Sequence, residues 1–578
     1  MGSFPRLFRI LIGLTVIFLW LGTPAYAQSH APEICPRPIA GSKASQPQDL
    51  VSDHGVLKVT LKFRTSTDAQ GNVRYCYIDK DGAQAPTLRV NPGDILILNL
   101  ENDIVPNSSH AVPPRHPMEM QMPIRPDSCS EAQMSPSSTN LHFHGIMIPP
   151  LCHQDDVLHT AVGPSAAPFE YRFPIPDDQP PGLYWYHPHL HGFTKAQVLG
   201  GASGALIVEG IERINEQLAG MPERVLVIRD QDLLNRSAEP TTPDSASHTV
   251  VLRDAEGDIL NTGTDGGKPA KDLSLNFVPV AYPDYKPALI AMKPAQREFW
   301  RVLNASGITY MDIQVLYDGA PQSLGVAALD GVPIDDNGVG GRGLLWKSHI
   351  LVPPGGRVEF ILKGPPLGAH ATLMTRGVDT GRDGENDPSR PLATIVAEVD
   401  APELHSRFAA APAPLSRKSP AALRDVAPVR VRKLYFSEKP QNPADPKSPT
   451  VFFITVDGQT PAPFDPNSSA PNITVKQGEV EDWIIENRSQ ELHAFHIHQI
   501  HFMLLDWNGV PLNEPFLRDT VNVAYWDGAS PVFPSVKLRM DFRDPKLTGT
   551  FVYHCHLLEH EDGGMMGTIR VIPQAINP

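Results

Sequence analysis

The sequence predicts an all-β protein made of three consecutive β-sandwich domains. Its 578 residues are too many for a single hydrophobic core, so several domains are expected. Sixty prolines, 44 glycines and many short β-branched segments are typical of short strands joined by turns. An internal repeat that occurs three times indicates that there are three domains.

The repeat is a turn followed by a strand that ends in Asn. Its stronger copies are Val90–Asn102 and Val475–Asn487, and a weaker copy is Met292–Asn304. Because the copies are spread along the chain, we expect one homologous sandwich around each of them. A stretch rich in proline and alanine, from about 401 to 428, is expected to lead into the third sandwich. The expected domain bounds are 28–215, 216–415 and 416–578.

Residues 1–27 have the features of a secretory leader. Arg6 and Arg9 accompany an apolar stretch, Ile10–Leu21, and Ala-Tyr-Ala at 25–27 is typical of a cleavage site. We therefore predict export to the periplasm or out of the cell, with a retained N-terminal anchor as the alternative. No later segment is apolar enough to cross a bilayer, so no membrane span is expected after the leader is removed.

The formal net charge of the chain is −15 at neutral pH. This acidity disfavours nucleic acid and anionic membranes as partners, because both carry the same sign of charge. The sequence does not indicate the oligomeric state, and we expect a monomer.

Five cysteines, an odd number, are present in a chain that is predicted to be exported. One of them should have a separate role, and Cys555 is the candidate because it lies between histidines. The other four can form two disulfides in an oxidising compartment. Three pairings are open from sequence alone, and we favour Cys35 with Cys76 and Cys129 with Cys152.

Four short motifs contain eleven of the 22 histidines. In a strand, side chains two residues apart point to the same face, so each His-x-His pair offers two imidazoles to one site. Two pairs belong to the first domain and two to the third, and facing pairs would form a cage of eight imidazoles. The eight cage histidines are His142, His144, His187, His189, His496, His498, His554 and His556.

The last motif places Cys555 directly between two cage histidines, with His560 and Met565 further along the chain. One Cys, two His and a weak axial Met are the ligands of blue-copper centres. The second histidine is expected to be His493. It lies three residues before His496 and therefore faces away from the cage, towards Cys555. The neighbours of Cys555 would bind at the cage, which gives electrons a covalent route between the two sites.

These motifs resemble those of the multicopper oxidases, a family that includes laccases, ferroxidases and bacterial cuprous oxidases. The resemblance covers essentially the whole chain after the leader and implies three cupredoxin-like Greek-key domains. It also implies four copper ions: one type 1 ion in the third domain, and one type 2 and two type 3 ions between the first and third domains. The implied type 1 ligands are His493, Cys555, His560 and, axially, Met565.

The resemblance also divides the cage histidines among the other three ions. His142 and His496 would bind the type 2 ion. The first type 3 ion would be bound by His144, His187 and His556. The second would be bound by His189, His498 and His554.

The resemblance implies an enzyme that oxidises a substrate one electron at a time and reduces O2 to water. We expect a laccase-like oxidase of phenols or aromatic amines. One alternative is a cuprous or ferrous oxidase for metal detoxification, and a more remote one is a copper-binding protein without catalysis.

An insertion at 103–138 bears on this choice. It is rich in proline and carries soft thioethers that suit Cu(I), although a stiff surface loop is the other interpretation. Its methionines and histidines are Met118, Met120, Met122, Met134, His110 and His116.

Reduction of O2 consumes protons, so an acid near the cluster is expected. Glu561, next to His560, matches the proton-delivering carboxylate of the family. Asp155 or Asp156 is the candidate near the type 2 ion, and an insertion at 149–152 leaves the choice between them open. The alternative for each is an ordinary carboxylate in a solvated loop.

Several other residues near the motifs are expected to be structural. His191 continues the alternation after His189, but members of the family carry no ligand there. His153, His159 and His501 lack a partner at ligand spacing, and Met566 is expected to pack. The middle domain is expected to hold no copper, because its histidines are isolated; they are His248, His349, His370 and His405.

Overall fold

The computed structural model of the protein describes residues 2, 33–104, 128–129, 134–164, 166–239, 252–253, 259–260, 266–334, 343–404, 406, 421–445 and 448–574. The predicted leader lies outside these residues, apart from residue 2. So do His110, His116, Met118, Met120 and Met122 of the insertion, and His248 and His405 of the middle domain.

Two sheets form the first sandwich. One has the strand order β1-β4-β9-β8-β6 and the other β3-β2-β5-β7. Their inner faces share one buried core, to which Leu61, Leu98 and Phe143 belong. The strands are β1 Asp49–Val51, β2 Val56–Thr67, β3 Val73–Ile78, β4 Thr87–Val90, β5 Ile95–Asn102, β6 His142–His144, β7 Phe169–Pro174, β8 Gly182–His187 and β9 Gly204–Val208.

The middle sandwich has a larger pair of sheets around a second core. One sheet has the order β14-β13-β10-β16-β23-β19-β20, with β21 on β19. The other has the order β15-β25-β24-β17-β18, with β22 on β17, and β11 and β12 pair separately. The strands are β10 Glu223–Gln231, β11 Leu252–Arg253, β12 Ile259–Leu260, β13 Asp272–Leu275, β14 Val278–Val280, β15 Ala288–Met292, β16 Arg297–Asn304, β17 Met311–Tyr317, β18 Ala320–Pro321, β19 Leu324–Leu329, β20 Val332–Pro333, β21 Leu345–Lys347, β22 Ile350–Val352, β23 Arg357–Lys363, β24 Ala371–Arg376 and β25 Arg390–Ala397.

The third sandwich has sheets of order β27-β26-β29-β34-β31-β32 and β28-β36-β35-β30-β33. Trp483, Phe495 and Tyr553 lie in its core. The strands are β26 Arg430–Pro440, β27 Thr450–Val456, β28 Ile473–Lys476, β29 Val480–Asn487, β30 His493–Ile497, β31 Met503–Trp507, β32 Val510–Pro511, β33 Thr520–Val523, β34 Ser535–Asp541, β35 Gly549–Cys555 and β36 Met566–Ile572.

Helices are few and short in the described part of the chain. The α-helices are α1 Thr194–Leu199, α2 Ala421–Arg424 and α3 Leu558–Asp562, and short 3-10 helices span Ile211–Arg213, Glu216–Leu218 and Pro545–Leu547. Helix α3 matters for function because it follows the Cys555 motif and carries His560 and Glu561. The prediction of an all-β chain of three sandwiches is confirmed.

The predicted repeat forms the same structure in each sandwich. Its copies end in β5, β16 and β29, each of eight residues. The last residue of each strand is a buried Asn whose side-chain amide donates to two main-chain carbonyls. Its side-chain oxygen accepts from the main-chain N–H two residues later. One amide therefore closes an equivalent loop in all three sandwiches, which explains why the repeat ends in Asn.

Both disulfides join the favoured partners. The Cys35–Cys76 bond and the Cys129–Cys152 bond each have a Cα–Cα distance of 5.8 Å, and Cys555 is buried as a free thiol. Cys555 is therefore available for the separate role that the odd number of cysteines suggests. The first disulfide also anchors Cys35 to β3. The segment after Cys35 leads to Ala44, which packs in the core of the middle sandwich.

Candidate metal centre

The cage histidines lie where strands of the first and third sandwiches end. In the first sandwich β6 pairs with β8, which puts His142 opposite His187. In the third, β30 pairs with β35, which puts His496 opposite His554. Alternation along each strand then sends the partner two residues away to the same face. All eight imidazoles are buried.

Rings from the two outer sandwiches stack on one another across the cage. The ring centroids of His142 and His498 are 3.7 Å apart, and those of His144 and His496 are 3.9 Å apart. Both pairs are nearly parallel, with interplanar angles of 14°. Imidazoles of the first and third sandwiches therefore pack directly against one another in the cage.

Two groups of three imidazoles complete the cage. In the first group, Nε2 of His554 lies 3.4 Å from Nε2 of His189 and 3.3 Å from Nε2 of His498. The second group has ring centroids 5.0, 5.8 and 5.9 Å apart and consists of His144, His187 and His556. Each group draws on both outer sandwiches, so neither sandwich has a complete group alone.

Hydrogen bonds to main-chain carbonyls fix which ring nitrogen faces the cage. Nδ1 of His187 donates to Pro188 O at 2.8 Å, and Nδ1 of His496 donates to Asp519 O at 2.7 Å. A carbonyl only accepts, so a neutral imidazole keeps its lone pair on Nε2. These Nε2 atoms are buried without a hydrogen-bond partner among the described residues. Orphaned lone pairs that converge in this way fit metal ions.

Burial keeps the imidazoles in the form that binds metal. Desolvation is the largest cause that lowers the pKa of every cage histidine, and repulsion from neighbouring imidazoles adds to it for most. The pKa falls to about 3 for His187 and to about 4 for His554. Because neutral imidazole is the form that binds metal ions, the cage histidines can bind cations without first losing a proton.

A second group of ligand atoms lies entirely within the third sandwich. Cys555 Sγ is 3.6 Å from His493 Nδ1 and 3.8 Å from His560 Nδ1, and the two nitrogens are 3.2 Å apart. We call this group, with Met565, the thiolate cluster. His493 lies on the Cys555 side of β30, as strand parity predicts.

The two methionines after α3 occupy different surroundings. Met565 is buried in the same core as Cys555, and its main-chain oxygen accepts from Cys555 N at 3.1 Å. Met566 packs instead against Val157 and Val552. This arrangement favours Met565 over Met566 as the residue that belongs to the thiolate cluster.

Similar proteins identify the family of the chain. Family models described as "Multicopper oxidase" match residues 132–213 and 443–575, which contain the histidine motifs. The chain belongs to the multicopper oxidase family. Multicopper oxidases are oxidoreductases that use copper, O2 and a reducing substrate or metal ion, and these general properties apply to this chain.

Individual relatives support this membership. Multicopper oxidase MmcO of Mycobacterium tuberculosis is 26% identical over 439 residues, which are 74% of this chain and 75% of the relative. A laccase of Bacillus subtilis is 21% identical over 505 residues, covering 83% and 87%. A solved multicopper oxidase from Campylobacter jejuni, described as a metallo-oxidase, matches the fold with a TM-score of 0.62 at 22% identity, covering 93% and 96%.

The structure separates the two candidate aspartates of this multicopper oxidase. Asp155 is fully buried, lies 2.9 Å from His142 Nδ1 and accepts from Phe143 N. Gln499 Nε2 of the third sandwich donates to Oδ2 of Asp155. Desolvation raises the pKa of Asp155 well above its usual range. Asp156 instead pairs with the exposed His159, so only Asp155 lies against the cage in the described structure.

Glu561 reaches the cage from helix α3. Its carboxylate oxygens lie 3.2 Å from His554 Nδ1 and 3.6 Å from His189 Nε2. Its side chain is completely buried, and desolvation, followed by the charge of Asp562, raises its pKa well above the usual range. A buried carboxyl with a raised pKa can hold a proton beside the cage.

A cavity opens beside the thiolate cluster. Its volume is about 640 Å³, and His560 lies in its wall with only 4% of its surface exposed. His560 Nε2 is 3.3 Å from a Glu491 oxygen, and Phe452 stacks on the ring with centroids 4.2 Å apart. Burial alone would lower the pKa of His560, but Glu491 and Cys555 raise it well above its usual value.

Sequence reasoning missed the residues that orient the ligands. Asn140 holds the main chain of His189 through two hydrogen bonds, and Ser489 Oγ binds His493 Nε2 at 2.7 Å. Arg357 and Asp519 form an ion pair beside the cage. Asn140 and Ser489 stand close to histidine motifs, which could have marked them. The ion pair has no local signal, because its members are 162 residues apart.

The histidines that were expected to be structural have other contacts. His191 packs edge-on against Phe464, and His153 stacks on Phe169. His501 Nε2 lies 3.2 Å from Asp330 O and 3.6 Å from an Asp519 oxygen. In the middle sandwich His349 pairs with Asp312. None of the helices in the described ranges is long and apolar enough to span a membrane.

Proposed function

We propose that the protein oxidises a reducing substrate one electron at a time beside His560 and reduces O2 to water in the cage. The proposal is supported above all by the position of Cys555, which belongs to the thiolate cluster and lies directly between two cage histidines along the chain. When bound, four copper ions would supply one-electron acceptance and the four-electron reduction of O2.

We propose the ligands that the family resemblance implies. His493, Cys555, His560 and axial Met565 would hold the type 1 ion. His142 and His496 would hold the type 2 ion. The type 3 ions would be held by His144, His187 and His556, and by His189, His498 and His554. The close Nε2 contacts among His189, His498 and His554 support the last of these assignments.

The remaining residues have distinct roles in this scheme. His560 borders the cavity and is the proposed point of electron entry. The backbone of Cys555 joins the thiolate directly to His554 and His556. Glu561 holds a proton beside His554, and we propose Asp155, rather than Asp156, as the acid beside His142.

Metal content and gas uptake test the proposal together. A copper-loaded sample should contain four equivalents and consume one O2 for every four electrons that the donor supplies. A sample with markedly fewer equivalents would argue against the ligand assignment. Full loading without O2 uptake would favour a copper-binding protein without catalysis.

The cavity beside His560 favours a cationic reductant as a second candidate. Its wall contains one lysine and five carboxylates, which belong to Asp383, Glu385, Glu438, Glu491 and Glu559. Burial, and then the charge of Glu491, raise the pKa of Glu438 to about 7, which reflects this crowding of acids. A cation such as Cu(I) or Fe(II) would relieve the repulsion, whereas a neutral phenol would not.

Paired kinetics distinguish a metal ion from a phenol. Glu438→Gln and Glu385→Gln should raise KM for Cu(I) or Fe(II) several-fold and leave KM for a neutral phenol nearly unchanged. Glu403→Gln is the control, because Glu403 is a surface carboxylate outside the cavity wall. Equal changes for both substrates would remove the basis for the metal-oxidase candidate.

Export and domain bounds remain part of this proposal. A leader at 1–27 would place the protein in the periplasm or outside the cell, and the two disulfides agree with an oxidising compartment. We propose domains at 28–215, 216–415 and 416–578, with no copper ligand in the second; the three sandwiches, which begin at β1, β10 and β26, support this division. N-terminal sequencing of the exported protein would locate the cleavage site.

A further inference from the structure

A buried arginine of the middle sandwich reaches the cage. Arg357 begins β23, and its side chain has no exposed surface. Its guanidinium lies against His144 of the first sandwich and against Asp519 of the third. The middle sandwich, which contributes none of the eight imidazoles, therefore still touches the group that the other two sandwiches form.

Each of the five guanidinium N–H groups has an acceptor within reach. Nη1 and Nη2 donate to the two carboxylate oxygens of Asp519 at 2.7 and 2.6 Å. The other acceptors are the main-chain oxygens of Leu183 at 3.2 Å, Gly355 at 3.1 Å and Asp330 at 2.9 Å. These acceptors come from all three sandwiches. A planar fork of donors can serve them together, whereas a lysine ammonium presents three donors at one point.

The Arg357–Asp519 pair contacts both rings of one stacked pair in the cage. Nη1 of Arg357 lies 3.1 Å from His144 Nδ1. The main-chain oxygen of Asp519 accepts from His496 Nδ1 at 2.7 Å. His144 and His496 are the rings whose centroids are 3.9 Å apart. One ion pair thus holds an imidazole of the first sandwich and an imidazole of the third.

Two glycines leave the space that this arrangement needs. A Cβ at Gly145 would lie 2.6 Å from an Asp519 oxygen and 2.7 Å from Arg357 Nη2. A Cβ at Gly355 would lie 2.7 Å from the His556 ring. Gly145 also has a φ of +84° and Gly355 one of +79°, which other residues rarely adopt. The local backbone is therefore matched to a close approach of the middle sandwich.

We propose that Arg357 is a positioning residue for the cage. It orients Asp519, whose carboxylate lies 3.6 Å from His144 Nδ1 and whose main-chain oxygen accepts from His496 Nδ1, and so fixes the distance between a proposed type 3 ligand and a proposed type 2 ligand. Arg357 touches neither substrate nor metal in this role. The inference rests on the proposed function, because it assumes that these imidazoles bind metal ions.

A second buried ion pair of the middle sandwich provides a matched control. Arg224 binds both carboxylate oxygens of Glu298, at 2.8 and 3.1 Å, and donates to Ala291 O. Both side chains are almost completely buried. Arg224→Lys removes the same fork geometry as Arg357→Lys, but from a pair whose partners lie within the middle sandwich.

The experiment compares Arg357→Lys, Asp519→Asn and Arg224→Lys with the unchanged protein, all loaded with copper. Bound copper, the blue absorbance of the type 1 ion, the electron paramagnetic resonance spectrum of the type 2 ion and the melting temperature are measured. Loss of cage copper to a chelator is then followed. Asp519→Asn retains the main-chain bond to His496 and provides a second variant if the lysine variant does not fold.

We expect Arg357→Lys and Asp519→Asn to keep the blue absorbance, because the thiolate cluster has no contact with this pair in the described structure. Their type 2 spectrum should change, and cage copper should be held about 10- to 100-fold more weakly, the usual effect of losing a residue that orients a ligand. Arg224→Lys should lower the melting temperature by a similar amount without either change.

An unchanged type 2 spectrum and unchanged copper retention in both variants would overturn the inference. The same would follow if Arg224→Lys altered the cage equally, since the effect would then be general destabilisation. Failure of the unchanged protein to bind copper in the cage would instead overturn the proposed function, so the two failures are distinguishable.

Discussion

The cage and the thiolate cluster use the same kind of side chain but depend on different levels of the fold. The cage takes imidazoles from two sandwiches, and its stacked pairs each combine one ring from either side. The thiolate cluster takes its residues from one sandwich, from β30, β35 and the segment around α3. The cage therefore requires correct assembly of the sandwiches, whereas the thiolate cluster requires only the third one to fold.

Their surroundings differ as well. The cage histidines are buried, and this burial lowers the pKa of all of them. The thiolate cluster borders an acidic cavity, and the pKa of His560 is raised by Glu491. A closed site of neutral ligands suits chemistry that must exclude other reactants, and an open acidic site suits the arrival of a donor. Variants that change one site while the other stays intact test this difference.

Cys555→Ser should have the largest effect. It removes the only thiolate ligand, so the blue colour and essentially all oxidase activity should disappear, while the cage should still bind copper. Absorption spectroscopy and copper analysis measure these outcomes. Retained blue colour would contradict the assignment of Cys555, and loss of all copper would show that the two sites do not form independently.

Glu561→Gln should slow turnover about 100-fold or more, which is the usual effect of removing a general acid. Reduction of the thiolate cluster by the donor in the absence of O2 should keep its rate, because Glu561 lies at the cage. Rapid-mixing kinetics separate the two steps. Glu559→Gln, assayed with a neutral phenol, is the control on the same helix, where Glu559 pairs with Lys195. Equal slowing in the control would argue against a specific role for Glu561.

Asp155→Asn and Asp156→Asn compare adjacent carboxylates in different surroundings. Asp155→Asn removes the carboxyl group that contacts His142 Nδ1 and should reduce turnover roughly 10-fold, the lower end for a residue that supports a ligand. Asp156→Asn should change turnover little, since that side chain contacts the exposed His159. Turnover numbers measured side by side decide the matter, and a larger loss for Asp156 would reverse the assignment.

Met565→Leu should leave the cage intact and raise the reduction potential of the thiolate cluster. Leu has a similar volume, so packing should change little, but it lacks the weak axial thioether donor. A redox titration of the blue absorbance measures the shift, with Met566→Leu as the matched control. A shift only in the control would mean that the neighbouring methionine is the ligand.

Acidification should destabilise the copper-free protein, with the smallest effect among these predictions. The cage histidines have folded-state pKa values below the unfolded value of about 6.5. The unfolded chain therefore takes up protons first as pH falls from 6.5 towards 4, and the free energy of unfolding decreases. The raised pKa values of His560 and of buried carboxyls such as Glu561 and Asp387 oppose this trend, so the net decrease should be small. Urea denaturation at several pH values tests it, and constant stability would contradict the prediction.

Much of the fold and of both clusters could be predicted because the information is local. Alternation in a strand is sufficient to place His493 on the Cys555 side and His496 on the cage side. The repeated Asn marks a loop closed by neighbouring residues, so it is visible in the sequence as well. The disulfides required a choice among three pairings, and the structure forms the favoured one.

The remaining features depend on contacts between distant parts of the chain. Asp155 and Asp156 are indistinguishable by spacing, and only the fold turns one towards His142 and the other towards His159. The sequence does not distinguish Arg357 from other strand arginines, because its contacts come from all three sandwiches. The acidic cavity likewise combines residues from the middle and third sandwiches, from Ile308 to His560. Sequence patterns therefore identify ligands more readily than they identify the residues that orient them.

The order His554-Cys555-His556 has a consequence for motion. These residues are joined by two peptide units where β35 ends at Cys555, so the covalent path between the sulfur and its neighbouring rings has a fixed length. If the outer sandwiches move relative to each other, the cage between them widens, whereas the covalent path from the sulfur to its neighbouring rings keeps its length. Temperature and engineered hinge changes should therefore disturb the capture of oxygen before they disturb electron transfer within the molecule.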